Sequence, residues 1–344
     1  MIKLLQDMNN YRIVRNIADG GMGSVYEAIQ DGARGFQKVV AVKTLLPELS
    51  EKDKFVDMFI NEAKLVANLV HENIVQIYQL GHTPDGYYIV MEYVSGLTLD
   101  AFINHHTLTK KPIPRPLAVF IASRVARGLS YAHSRLDDLG RHMKIVHRDV
   151  CPKNVMITTE GLPKLTDFGI ALVTANLAKD SPRSLMGKLS YMSPEQAAKE
   201  PVDFRTDIFA LGAVLFELLS MRRIRTGETK EAMVELAKAG QIEWDRLPDD
   251  TDADLHDILG HCLARDPDDR FASSAELARR LEYFIYKDGY GPTIQTLEEY
   301  MRSQFSELYQ HGGGHLLAME EEVAPGDAAK TDDDDDIAET LVMD

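Results

Sequence analysis

The sequence predicts an α+β fold, with a small strand-rich lobe followed by a larger, mostly helical one. Three observations lead there. First, between residues 11 and 94, β-branched and aromatic runs (Tyr11 to Ile17, Ser24 to Ala28, Val39 to Leu45, Ile74 to Leu80, Tyr87 to Tyr93) are bounded by Gly, Asp and Pro, the punctuation of strands. Second, one helix interrupts them, because Phe55, Phe59, Ala63, Val66 and Val70 recur at helical spacing. Third, from Pro116 the pattern turns helical through Val119-Phe120, Ser123 to Ala126, Leu129 to His133, Asp207 to Leu219, Ala253 to Leu263 and Ala275 to Tyr286. Strands first and helices second segregate the two kinds of element.

The chain has 344 residues, 44% apolar and 27% charged, enough for two lobes and a sizeable core. The longest apolar run, near Ile208 to Leu219, is too short to span a bilayer and contains Glu217. MIKLLQDMNN lacks the apolar stretch of a signal peptide. Cys151 and Cys262 make no disulfide framework, which points to a reducing cytoplasm. No Cys/His cluster has zinc spacing. The net charge is −16, and from Glu320 onward eleven acids face a single base, Lys330. The acidity is therefore mostly a property of the tail, and nucleic acid is excluded as a partner. After Asp288, TIQTLEEYMRSQFSELY would place Ile294, Leu297, Met301, Phe305 and Leu308 on one face of a helix at 293–309, and HGGGH then marks a linker.

Several short stretches carry chemistry. IADGGMGSVY lacks the Lys of a P-loop and runs into a strand rather than a Rossmann helix. A glycine-rich loop between two strands can cover phosphates with backbone amides. VAVK puts Lys43 inside an apolar strand, where an ammonium needs an anion. Glu62, near the buried face of the one helix in this lobe, is the candidate. Taken alone, Lys43 reads more readily as a solvated strand-edge lysine and Glu62 as an exposed glutamate. HRDVCPKN supplies Asp149 and Asn154, and DFG supplies Asp167, with VMITTEGLPKLT between them reading as a hairpin with a Glu-Gly turn. A carboxylate and a carboxamide brought to one mouth are oxygen ligands suited to Mg²⁺. SPE, the Asp207 of DIFALG and the Arg270 of RDPDDR complete the series.

In order and spacing these motifs resemble the protein kinase superfamily, in particular the bacterial eukaryotic-like serine/threonine kinases, over about residues 11 to 287. The resemblance implies a two-lobed fold with an antiparallel-sheet N-lobe and a helical C-lobe. It also implies ATP and Mg²⁺ as cofactors and transfer of the γ-phosphate to protein Ser/Thr hydroxyls. It divides the chain into an N-lobe and hinge (11–94), a C-lobe (95–287), a helical extension (288–311) and a linker with an acidic disordered tail (312–344). Gly20 and Gly23 would cover phosphates, with Ala18 standing where the family has its first glycine. Lys43, held by Glu62, would contact the α- and β-phosphates. Asp149 would serve the incoming hydroxyl, and Asn154 and Asp167 would hold metal. In YIVMEYV, Met91 is the gatekeeper and the backbone of Glu92 and Val94 would bind adenine, sandwiched by Val25, Ala41 and Met156. Glu195 would pair with Arg270, and Asp207 would hold the catalytic-loop backbone.

The chain departs from the family in one linked pair of positions. The lysine usually two residues after the catalytic Asp is Cys151, and the threonine of G-T-x-x-Y-x-[AS]-P-E is Lys188. An exchange of positions would let Lys188 reach Asp149 and the γ-phosphate; a surface lysine is the plainer alternative. Lys153 is a further base, in a position that points elsewhere in the family. Arg148 could bind a phosphate on Ser184, Ser181 or Thr174, placed by autophosphorylation between two copies of the chain. Thr331 and Thr340, set among acids, suit a phosphothreonine-binding partner, or else the tail is only solvated. A pseudokinase scaffold is the rival reading, supported by Ala18, Cys151 and Lys188.

Overall fold

The computed structural model describes residues 11–20, 23–83, 86–168 and 187–310. The candidate phosphosites Ser184, Ser181 and Thr174, and the 312–344 linker and tail with Thr331 and Thr340, lie outside the described residues. Strands β1 (Tyr11–Asp19), β2 (Gly23–Asp31) and β3 (Gln37–Leu45) form an antiparallel meander. Burial in β1 alternates residue by residue, as expected of a strand with one face to solvent. A short turn of helix, α1 (Pro47–Ser50), leads into α2 (Asp53–Val66), which buries Phe59, Glu62, Ala63 and Val66. Strands β4 (Ile77–Thr83) and β5 (Gly86–Glu92) complete an antiparallel sheet of order β1-β2-β3-β5-β4.

Two expectations in this lobe need correction. The helical stripe does not reach Val70, which is 67% exposed, because α2 ends at Val66 and Leu69 takes the buried position. The fourth strand starts at Ile77, not Ile74. Residues 73–75 pair instead with the other lobe: Val75 N donates to Leu165 O at 2.9 Å and Leu165 N to Asn73 O at 2.9 Å. Asn73 Nδ2 adds a bond to Pro163 O at 2.8 Å. A stretch that is β-rich by composition is thus used to join the lobes.

The larger lobe opens with β6 (Gly96–Thr98), α3 (Leu99–Thr109) and α4 (Arg115–His133). The hairpin of β7 (Val155–Thr158) and β8 (Pro163–Leu165) adds to β6 in a small antiparallel sheet. Then come α5 (Pro194–Ala198), α6 (Arg205–Ser220), α7 (Lys230–Lys238), α8 (Ala253–Cys262) and α9 (Ser274–Tyr286). Helix α6 is buried continuously from Thr206 to Leu218, as expected of a helix apolar on all sides, and α4, α8 and α9 pack on it. Among the described residues no helix is long and apolar enough to cross a membrane.

The extension forms α10 (Ile294–Gln304) and α11 (Glu307–Gln310), separated at Phe305, whose φ −131° and ψ 52° are not helical. The continuous helix expected at 293–309 is therefore broken. Leu297, Met301, Phe305 and Leu308 are buried in the core of the larger lobe, whereas Ile294, at 38% exposure, is not. Phe305 meets Phe102 of α3 with ring centroids 5.7 Å apart, and Tyr309 Oη donates to Thr159 O at 2.8 Å. Gly161, at φ +79° in the β7–β8 turn, packs on α10 so closely that a Cβ would lie 2.3 Å from Ile294 O. The extension thus clamps the hairpin from outside. Met301→Ala is expected to cost about 2–5 kcal/mol in chemical denaturation; a loss below the scatter of surface variants would show that the extension is not part of the core.

Candidate active site

The cleft between the lobes is built first from the glycine loop and β3. Gly20 N donates to Gly23 O at 2.8 Å, closing the turn between β1 and β2. A Cβ on Gly23 would lie 2.0 Å from Thr44 O, so this glycine is required for β2 to approach β3. Ala18 still belongs to β1 and pairs with Val25, a regular position that tolerates a Cβ. Ala41, Met91 and Val94 lie in one buried apolar cluster, against which Val25 and Met156 pack from opposite lobes. The Glu92 carboxylate accepts from Lys164 Nζ at 2.9 Å, and Glu92 N donates to Gln76 O at 2.8 Å.

Lys43 Nζ bridges the lobes, 3.3 Å from Glu62 Oε1 and 2.6 Å from Asp167 Oδ1. Burial opposes the Lys43 charge, but the Asp167 and Glu62 carboxylates outweigh it and hold its pKa above the ordinary lysine value. Burial works against Asp167 too, yet Lys43 keeps that carboxyl below its usual range. Glu62 is the acid compensated least: desolvation pushes it up to about 7 despite Lys43, and its buried Oε2 has no hydrogen-bond partner among the described residues.

The catalytic loop is anchored by Asp207. This fully buried carboxylate accepts from His147 N and Arg148 N at 2.7 Å each, and from His133 Nε2 at 2.8 Å. The loop carries Asp149, whose main-chain O and Oδ2 both accept from Asn154 Nδ2, at 2.8 and 3.1 Å. Burial raises the Asp149 pKa, and Lys188, His147 and Asn154 pull against that rise. The β7–β8 hairpin runs from Asn154 to Asp167, and Thr166 N closes it on Asn154 O at 2.9 Å. Asp167 (φ +57°) and Arg148 (φ +67°) occupy left-handed backbone, a strained choice for non-glycine residues that marks sites over-determined by their surroundings.

Lys188 Nζ lies 3.7 Å from Asp149 Oδ2. Cys151 is 5% exposed within the core, and burial raises its thiol pKa, so it is an inert space-filler. The two departures therefore meet in space. Glu195 takes Arg270 through two bonds of 2.8 Å, and Gln196 Nε2 donates to Arg148 O at 2.9 Å, tying the SPE stretch, which ends the activation segment running from DFG, to the catalytic loop. Three parts of the site escaped the sequence reading: His133 on Asp207, Lys164 on Glu92, and Tyr191 donating to Glu217. Each joins residues distant in the chain and belongs to no contiguous motif. The only sequence signal was an ionisable residue inside an apolar run, as at Glu217.

Fold and site together define a two-lobed kinase domain. The chain belongs to the protein kinase family: the model described as "Protein kinase domain" matches residues 11–284. It is 36% identical over 308 residues to tyrosine-protein kinase MasK of Myxococcus xanthus, covering 89% of this chain and 48% of that protein. It is 34% identical over 290 residues to serine/threonine-protein kinase PrkC of Bacillus subtilis, covering 84% of this chain and 42% of that protein. The chain thus spans about half or less of these relatives. Among solved structures, the PknI kinase domain of Mycobacterium tuberculosis aligns with a TM-score of 0.57 at 26% identity, covering 80% of this chain and 96% of that one.

The Glu62 environment makes a signed prediction. An unfolded glutamate ionises near 4.5, whereas folded Glu62 keeps its proton to about 7. The folded state therefore binds more protons in that window, and stability falls as pH rises through it. The Tm of wild type relative to Glu62→Gln, without nucleotide, is expected to drop between pH 5 and 7 and then level off. A difference that is flat across this window would show that Glu62 is ionised throughout.

Proposed function

We propose that this chain is an ATP- and Mg²⁺-dependent protein serine/threonine kinase. The observation that carries the reading is the convergence of Lys43, Asp167, Asn154, Asp149 and Lys188 on one cleft mouth. The donor set suits the cofactors. Asn154 spends its Nδ2 on Asp149, which leaves the carbonyl Oδ1 for a hard cation beside the Asp167 carboxylate. Bound ATP supplies the phosphoryl group, and magnesium the positive charge on its oxygens.

The chain's own residues do the rest. Val25, Ala41 and Met156 hold the adenine plane, with Met91 behind it. Glu92 offers its carbonyl, since its amide already bonds Gln76, and Val94 its backbone. Gly20 and Gly23 close over the phosphates, and Lys43, held by Glu62, takes the α- and β-phosphate oxygens. Asp149 accepts the acceptor hydroxyl's proton, a task its raised pKa favours. Lys188 supplies the cation that the family usually places where Cys151 stands. Arg148, whose buried Nε has no partner among the described residues, is suited to a phosphate on the activation loop placed by autophosphorylation.

The relatives' names include both serine/threonine and tyrosine kinases, so the acceptor is the finer question. Incubation with radiolabelled ATP and Mg²⁺, followed by phosphoamino-acid analysis, is expected to give phosphoserine or phosphothreonine; phosphotyrosine alone would reassign the acceptor. Asp149→Asn should lower turnover by about 10²–10⁴-fold. Lys188→Met should lower kcat by roughly 10²-fold with the KM for ATP unchanged; an unaltered kcat would end the exchange of positions. No transfer by wild type would favour the pseudokinase scaffold.

A further inference from the structure

We infer that Arg225 is a positioning residue for the protein acceptor: from outside the cleft it holds the main-chain carbonyl of Met192, and with it the wall of the acceptor site beside Asp149. The inference rests on the kinase reading and adds a residue to its acceptor side. The wall is the stretch from Lys188 to Ser193. Its first residue stands 3.7 Å from Asp149 Oδ2, and its last leads into α5, whose Gln196 is bonded to the catalytic loop. Three consecutive residues fasten it from beneath. Tyr191 Oη donates to Glu217 of α6, and Ser193 Oγ bonds Thr206 Oγ1 at the start of the same helix. Met192, between them, is held by its main chain: its O accepts from Arg225 Nη2 at 2.8 Å.

Arg225 is a costly residue to keep in that place. It is fully buried. Arg223, two residues earlier, has Glu217 at 3.8 Å, but Arg225 forms no ion pair among the described residues. Its guanidinium lies 5.5 Å from the centre of the Phe209 ring, its Nη1 reaches Leu236 O of α7 at 3.3 Å, and its buried Nε has no hydrogen-bond partner among the described residues. Burial alone pulls its pKa down, to about 10. A hydrocarbon side chain of like volume avoids that penalty; what it cannot do is donate to a carbonyl. The donor also has a firm base. Arg223 O accepts from Arg246 Nη1 and Ile224 O from Glu243 N, at 2.8 Å each, and Thr226 N donates to Glu243 Oε1 at 2.9 Å. The residues on both sides of Arg225 are thus pinned, and its reach sets where Met192 stands. A wall released from that donor shifts, and small misplacements far from the chemistry weaken how a substrate is held.

The test compares the full chain with its Arg225→Met and Arg225→Lys variants, with Mg²⁺ and ATP, on two acceptors: dephosphorylated casein and the inactive Asp149→Asn chain. Arg225→Met is expected to raise the KM for the acceptor by on the order of ten-fold, with kcat per folded enzyme and the KM for ATP unchanged. A KM does not depend on how much of the enzyme is folded, so lost stability alone does not produce that split. Arg225→Lys, which keeps a donor for Met192 O, is expected to bring the acceptor KM back toward wild type. An unchanged acceptor KM in Arg225→Met, a fall in kcat alone, or a KM for ATP that rises in step overturns the inference. So does a Lys variant no better than the Met variant, which would assign the role to filled space, and so does loss of folding in both. Transfer by wild type to neither acceptor overturns the kinase reading, and the inference with it.

Discussion

Asp207 is a fully buried carboxylate, and a lone buried charge is among the most costly things a fold can hold. Its cost is offset by two main-chain amides of the catalytic loop and by His133. The dependence is mutual. The carboxylate needs those donors, so Arg148 is held in left-handed backbone and Asp149 is presented to the cleft. From there the constraint passes to Asn154 through its bonds to Asp149, and along the hairpin to Asp167. Lys43 then carries it across to the small lobe. The Glu195–Arg270 pair and the Gln196 bond to Arg148 brace the same loop from the activation segment.

Electrostatics in the cleft follows from how few cations serve several acids. Lys43 lies closer to Asp167 than to Glu62. Burial is accordingly compensated at Asp167 and left partly unpaid at Glu62, which shifts up while Asp167 shifts down. At the other end of the cleft, the charge beside Asp149 comes from Lys188 on a different segment. What matters for a developing phosphoryl charge is where the ammonium sits, not which stretch of chain delivers it. Cys151, small and un-ionised, fits the core in the place it leaves.

Contiguous motifs and periodic stripes were legible in the sequence because they are local. Lys43, Asp149, Asn154 and Asp167 stand out by spacing, and α4, α6, α8 and α9 by apolar period. Helix α3 was missed although Leu99, Phe102, Ile103 and His106 follow that period: the buried residue at its end is a histidine, which a hydrophobicity pattern does not count. Helix α7 buries only Met233 and Ala237, too thin a stripe to register. Val70 and Ile294 fit their patterns and still lie in the open, since periodicity cannot say where a partner surface ends.

By itself the sequence determined the order of the strands and of the helices with a long apolar stripe, the family resemblance and the inventory of charged groups, all of which depend on near neighbours along the chain. Only the tertiary structure decided which charges meet. It placed residues 73–75 on β8, broke the extension at Phe305 and laid it over the hairpin, capped Glu217 with Tyr191 and Arg223, and brought Lys188 to Asp149. Apart from Arg223, six positions from Glu217, these contacts join residues tens of positions or more apart. Their energies depend on distance and burial in the folded molecule, quantities that no local pattern encodes.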